Sequence, residues 1–203
     1  MYCKYDEPTM IKAVFEAVDT GEIENLRFYI MDGADPDLRN ASGKTLLHHA
    51  AQKGGLAAAQ MLLNAGADPN ATVGVTRQTP LHYATNADML ALLATEGANV
   101  NAGDHFNWTP LHMAADRGLP DAVDALLLAG ADPALTDTQG RKPADIARQK
   151  FETLKQPEYG IVCRRLGMAE NILNADSIRK ARVDSDLEAL RAKRPQKRLG
   201  PGR

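Results

Sequence analysis

The chain has 203 residues, 44% hydrophobic and only 5% aromatic, a balance that suits an alanine- and leucine-rich helical stack better than a β-rich core. Its formal net charge of −2 is unevenly placed: Asp176 to Arg203 holds nine basic residues against four acidic ones, leaving −7 on the rest. An acidic body argues against non-specific nucleic-acid binding along its length.

After an extension over residues 1–8, one pattern recurs in chain order. In residues 9–36, Lys12-Ala13-Val14-Phe15-Glu16-Ala17-Val18 precedes Gly21, then Leu26, Ile30 and Met31 lead to Gly33-Ala34-Asp35-Pro36. Residues 37–69 repeat it more sharply: Thr45-Leu46-Leu47-His48-His49-Ala50-Ala51, a glycine at 54, a seam of Met61, Leu62 and Leu63, then Gly66-Ala67-Asp68-Pro69. Residues 70–100 carry Thr79-Pro80-Leu81-His82-Tyr83-Ala84-Thr85, Leu92, Leu93 and Gly97-Ala98-Asn99-Val100. Residues 101–133 carry Thr109-Pro110-Leu111-His112-Met113-Ala114-Ala115, Gly118, Leu126 to Leu128 and Gly130-Ala131-Asp132-Pro133. From 134 to 151 and onward only Lys142-Pro143-Ala144-Asp145-Ile146-Ala147-Arg148 survives, with Phe151 in place of the glycine.

Each heptamer reads as a helix start. Threonine is a good N-cap, proline costs nothing at the first helical position, and a glycine nine residues past the cap ends the helix in a left-handed turn. Alanine pairs leave room for a neighbouring helix. The second helix of each unit carries the apolar seam, and the Gly-Ala-Asp phrase opens a β-turn toward the next cap. Steps of 33, 31 and 33 residues between the phrase glycines mark a stacked repeat array, whose units bury their apolar faces only against one another.

From Lys12 to Arg148 these two interleaved phrases resemble the ankyrin repeat family. The resemblance implies an all-α ankyrin-repeat solenoid of about five helix-turn-helix units with β-turn tips, its degraded first and last units serving as caps. It implies that His48, His82 and His112 brace their turns through hydrogen bonds; spread along the stack, they do not converge on one metal ion. It also implies that an unidentified protein partner meets the tips and the exposed face of each first helix. Carried over by position, the contacts are Arg39, Ser42 and Lys44 on one tip, then Val75, Arg77 and Gln78, then His105, Phe106 and Trp108, then Gln139 and Arg141, with Lys53, Asp116 and Arg117 on the helices.

The third unit departs from the others. Its tip is one residue longer, and Thr79 to Gly97 spans 18 residues where Thr109 to Gly130 spans 21. The spacing predicts a first helix shortened by about one turn, a second helix capped by Asn86 or Asp88, and the weakest internal joint of the stack.

Past Phe151, residues 152–157 read as a loop. Within a C-terminal capping segment at 152–175, Glu158 to Leu173 regains helical spacing through Ile161, Val162, Leu166 and Met168 or Ala169, with Gly167 as an interruption. Asp176 to Arg194 reads as a basic helix on the way to a disordered, Pro- and Gly-rich end.

The chain is therefore expected to be a non-catalytic protein-protein interaction module. Its sequence contains no phosphate loop, no nucleophile beside a base, no clustered metal ligands and no cofactor motif. The alternative is a nucleic-acid-associated or regulatory accessory protein acting through the basic tail. The polar start Met1-Tyr2-Cys3-Lys4 and the short apolar runs predict neither a leader nor a membrane span, hence a monomer of the cytoplasm, or of the nucleus in a eukaryote. Cys3 and Cys163 offer no paired spacing for a disulfide or zinc site.

Overall fold

The computed structural model describes residues 8–170. The expected basic helix from Asp176 to Arg194, the end to Arg203, and Cys3 lie outside the described residues. Paired helices follow one another: α1 (Pro8–Thr20) and α2 (Ile23–Met31), α3 (Leu46–Lys53) and α4 (Leu56–Asn64), α5 (Pro80–Tyr83) and α6 (Ala87–Thr95), α7 (Pro110–Arg117) and α8 (Pro120–Leu128), then α9 (Pro143–Leu154) and α10 over residues 157–170. Among the described residues there is no strand, only two isolated antiparallel bridges, Arg39 with Thr45 and Val73 with Gln78.

The helices form two layers. The first members of the pairs, α1, α3, α5, α7 and α9, stack side by side, and the second members, α2, α4, α6 and α8, stack behind them. One continuous core runs between the layers. Leu47, Leu81 and Leu111 bury from the front, Leu26, Leu62, Leu93 and Leu126 from the back, and Ala50, Ala51 and Ala115 let the front helices approach closely. Removing any of these leucines from water contributes roughly 1.5–3 kcal/mol, realised only when the neighbouring unit is present.

Three units differ in ways their sequences explain. In the first, α1 (Pro8–Thr20) runs through Lys12, where no threonine cap breaks the helix. Phe15, at the histidine position, packs edge-on against His49 with ring centroids 4.8 Å apart. In the third, α5 has four residues where α3 and α7 have eight. Asn86, not Asp88, caps α6, its Oδ1 accepting from the Met89 amide at 2.7 Å. Hydrogen exchange is expected to be faster in α5 than in α3 or α7, since a single turn has few protected amides; slower exchange there would contradict a weak third joint.

The last unit corrects the expected loop over 152–157. With Phe151 in place of a stopping glycine, α9 continues to Leu154 and breaks only at Lys155, which adopts φ 56°. Asp145, at the histidine position, accepts from the Lys142 amide at 3.1 Å and so keeps half of the usual cap. Helix α10 then runs through Gly167 without interruption, burying Tyr159, Val162 and Leu166. Met168 faces outward, 63% exposed, and is not part of that apolar face. Arg165 ties the helix to α8, donating to the Pro120 carbonyl at 2.9 Å and pairing with Asp124.

A side-chain ladder joins successive turns. Asn70 accepts from the Asn99 amide (2.7 Å) and donates to the Gly97 carbonyl (3.0 Å), and Asn101 accepts from the Asp132 amide at 2.8 Å. Asp37 holds the same place one unit earlier and accepts from the Asp68 amide at 3.1 Å. It has no N–H to offer a carbonyl, and burial, reinforced by Asp35 and Asp68, raises its pKa. Asp37→Asn restores the donor and is expected to stabilise the chain by about 1 kcal/mol in chemical denaturation; a lower midpoint would contradict this.

Candidate functional site

The tips are built by short polar side chains folded under their own turns. Asn40 Oδ1 accepts from the Ser42 and Lys44 amides (3.0 and 3.1 Å). Asp104 Oδ1 accepts from Phe106 and Trp108 (2.8 and 2.9 Å), and Asp137 Oδ1 from Gln139 and Arg141 (2.8 and 2.9 Å). Burial pushes the Asp137 carboxyl up, but the Arg141 and Gln139 amides and the Arg141 guanidinium outweigh it and hold the pKa at about 2. The third tip lacks such a residue. It closes through the Val73–Gln78 bridge, with Arg77 at φ 55° in the left-handed conformation that Gly43, Asn107 and Gly140 adopt at the same place in the other tips.

Neighbouring tips are joined edge to edge. Arg39 Nη1 donates to the Thr72 carbonyl (2.8 Å), the His105 amide to Thr76 (2.9 Å) and the Thr138 amide to Phe106 (3.0 Å). Beneath them the three histidines lock tip to helix. The Thr45, Thr79 and Thr109 amides donate to Nδ1 of His48, His82 and His112 at 3.1–3.2 Å. Each Nε2 lies 2.8–3.1 Å from the next tip's last carbonyl, that of Gln78, Trp108 or Arg141. The neutral Nε2–H tautomer satisfies both contacts, and burial lowers the pKa of all three. Both ring nitrogens of each are therefore committed to protein partners.

Between the third and fourth tips the front layer opens into a hollow of about 560 Å³, walled by Val75, Phe106, Trp108 and Met113 with Gln78, His105 and Asp116 at its rim. A second hollow of about 380 Å³ adjoins it, lined by Arg141, Ile146, Gln149, Lys150 and Leu154; Trp108 and Asp116 line both. Together they form one groove from the third unit to the fifth. Val75 is 83% exposed and Phe106 60%.

All fourteen residues expected from the sequence lie outside the core, but they divide by task. Arg39 (to Gly43 and Thr72), Ser42 (to Asn40 at 2.8 Å) and Arg141 (to Asp137 at 2.7 Å) hold the tips in shape. Lys44 lies over the Tyr83 ring at 4.2 Å and donates to Gln52, and Gln78 accepts from the Tyr83 hydroxyl at 2.9 Å. Trp108 is half-buried, its ring stacked on His112 and its Nε1 donating to Asp137 at 3.2 Å, so it is a fixed wall of the groove. Arg77 is turned away from Val75, into a separate polar cleft with Asn70, Thr72, Asn99 and Asn101. Lys53 faces Asp19 at 3.9 Å, and Asp116 pairs with Lys150 at 2.9 Å. Arg117 closes α7, and Gln139 stands exposed on its tip.

Some groove residues were absent from that expectation. Met113 and Ile146 fill one heptamer position, the same one that holds His49 and Tyr83, and its variability was a usable signal. Asp19 was not findable by spacing: it lies 30 residues from His49, yet its Oδ1 is 3.2 Å from Nδ1.

The profile of ankyrin repeats, three copies, matches residues 14–104 and 73–137. The chain is 31% identical over 151 residues to the B-cell lymphoma 3 protein homolog of Mus musculus, covering 73% of this chain and 31% of that protein. It is 38% identical over 140 residues to the Neurogenic locus Notch protein of Drosophila melanogaster, covering 62% and 5%. With the E3 ubiquitin-protein ligase KEG of Arabidopsis thaliana it shares 33% over 108 residues, covering 52% and 7%. The chain thus spans less than a third of the length of these relatives.

Proposed function

Since the chain belongs to the ankyrin repeat family, whose units generally bind proteins, we propose that it is a non-catalytic recognition module that takes a protein partner into the groove of its third to fifth units. The repeat itself is a binding unit; in relatives such as the ligase KEG it makes up only part of a longer chain. The observation that carries the reading is the pairing of exposed Val75 and Phe106 with a rigid frame. Large apolar side chains are held in the open by tips whose backbones are already hydrogen-bonded to one another. Such a surface loses little conformational freedom on docking, so a larger share of the contact energy appears as affinity.

The test is a pull-down from lysate followed by titration of each retained protein. Val75→Ala/Phe106→Ala, with both changes at exposed sites, is expected to keep the melting temperature and to lose about 2 kcal/mol of binding, roughly thirtyfold in Kd. Partners held equally well by this variant would rule out the groove.

A further inference from the structure

The back layer has a hollow of its own, on the face opposite the groove. It measures about 440 Å³ and lies between α6 and α8, walled by Ala91, Ala94, Ala125 and Leu128 and edged by Asp88 and Thr95. Leu128 is 89% exposed. The surface around it is acidic. None of α4, α6 and α8 holds a Lys or Arg. Asp88 and Glu96, at the two ends of α6, pair with no cation among the described residues. Asp121 and Asp124 of α8 share one cation, Arg165 of α10, which pairs with Asp124 and lies 3.8 Å from Asp121. The helices beyond are balanced: Glu24 faces Arg27 at 3.9 Å on α2, and α10 sets Arg164 and Arg165 against Glu158 and Glu170.

We propose that the chain's own segment over residues 178–194 covers this hollow, seating Val183, Leu187 and Leu190 against Ala91, Ala94 and Leu128. The first reason is where the chain goes. Arg165 ties α10 to the Pro120 carbonyl and Asp124 of α8, so the chain passes residue 170 in the back layer, beside the helix that forms one wall. Residues 171–177 can span up to about 23 Å, and packed helices lie only about 8–10 Å apart. The second reason is pattern. Val183, Leu187 and Leu190 recur at steps of four and three residues, the spacing of one helical face. Asp184, Asp186 and Glu188 each adjoin one of them in sequence, and so lie about 100° round a helix from it. The third is charge. Arg179, Lys180 and Arg182 precede that face and Arg191, Lys193 and Arg194 follow it, six cations against three carboxylates, facing an acidic back. Residues 1–7 start instead from α1, at the other end of the stack. The front groove stays open, so this contact does not depend on the partner reading above.

Hydrogen exchange of the full chain, read by mass spectrometry on fragments covering 178–194, tests this. Exchange there is expected to be at least about tenfold slower than in a synthetic peptide of residues 176–194. It should return to the peptide's rate in Leu128→Glu and in Val183→Ser/Leu187→Ser/Leu190→Ser. Asp88→Lys/Glu96→Lys should cut the protection about threefold, and added salt should weaken it in the parent. Leu128, Asp88 and Glu96 are exposed, so the variants at these positions should melt with the parent. Exchange at the peptide's rate in the parent, or protection that survives Leu128→Glu, overturns the contact. Protection lost instead in Phe106→Ala places the segment in the front groove and overturns it too. Protection that appears only as the protein concentration rises assigns the hollow to the segment of a second copy and overturns the contact within one chain.

Discussion

Lowering the pH from 7 to 4.5 is expected to destabilise the stack well before its carboxylates titrate. His48, His82 and His112 are buried, and in each Nδ1 accepts from a cap amide while Nε2–H faces the next unit's carbonyl. A proton on Nδ1 would set a donor against a donor. Burial, with Arg39, Lys44 and His49 adding to it, outweighs the Gln78 carbonyl and lowers the His48 pKa from 6.5 to about 4; burial lowers His82 and His112 as well.

Well above pH 6.5 neither the folded nor the unfolded chain protonates these rings, so their contribution is complete and flat there. Below 6.5 the unfolded chain takes up protons that the folded one refuses, and stability falls until the folded pKa is passed. For His48 alone the loss by pH 4 is on the order of 3 kcal/mol. Asp137, held at about 2, is silent across this window, and Asp37, whose pKa is raised, opposes the trend only near the carboxylate range. Urea melts at half-unit steps of pH give the slope directly. His48→Gln should start less stable at pH 7 and show a shallower slope. A parent whose midpoint does not move between pH 7 and 4.5 would mean that the relay tolerates the charged ring.

The same relay shows what was legible in the sequence and what was not. The order of units, the caps at Thr45 and Thr109, the shortened α5 and the Asn86 cap all follow from local rules, because a helix end is decided by the few residues around it. Phe106 as an open tip residue was legible for the same reason. Trp108 was not, since its half-buried place depends on Asp137 and His112, one unit ahead and one helix below. Arg77 keeps the left-handed turn conformation that Gly43, Asn107 and Gly140 hold at the same place in the other units, but the cleft its side chain enters, with Asn70 and Asn99, is a property of two neighbouring units.

Gly118→Ala should be costlier than Gly130→Ala, and the reason lies at the far end of the stack. Gly118 closes α7 at φ 66°, where a Cβ costs roughly 1–2 kcal/mol in any sequence. At this position the added carbon would also meet the Tyr159 ring at 3.0 Å, whereas at Gly130, φ 89°, nothing lies within 4 Å. Tyr159 is buried and its hydroxyl donates to the Asp116 carbonyl at 3.0 Å, so the ring cannot retreat without giving up the bond that seats α10 on α7. The steric term adds to the conformational one, for about 2–4 kcal/mol in all against about 1 for Gly130→Ala. Paired denaturation curves measure the difference. Because Asp116 lies in both hollows and holds Lys150, Gly118→Ala should also weaken any groove ligand, while Gly130→Ala should not. Equal losses of stability in the two variants would show that Tyr159 yields, and that α10 covers the end of the stack without fixing the groove.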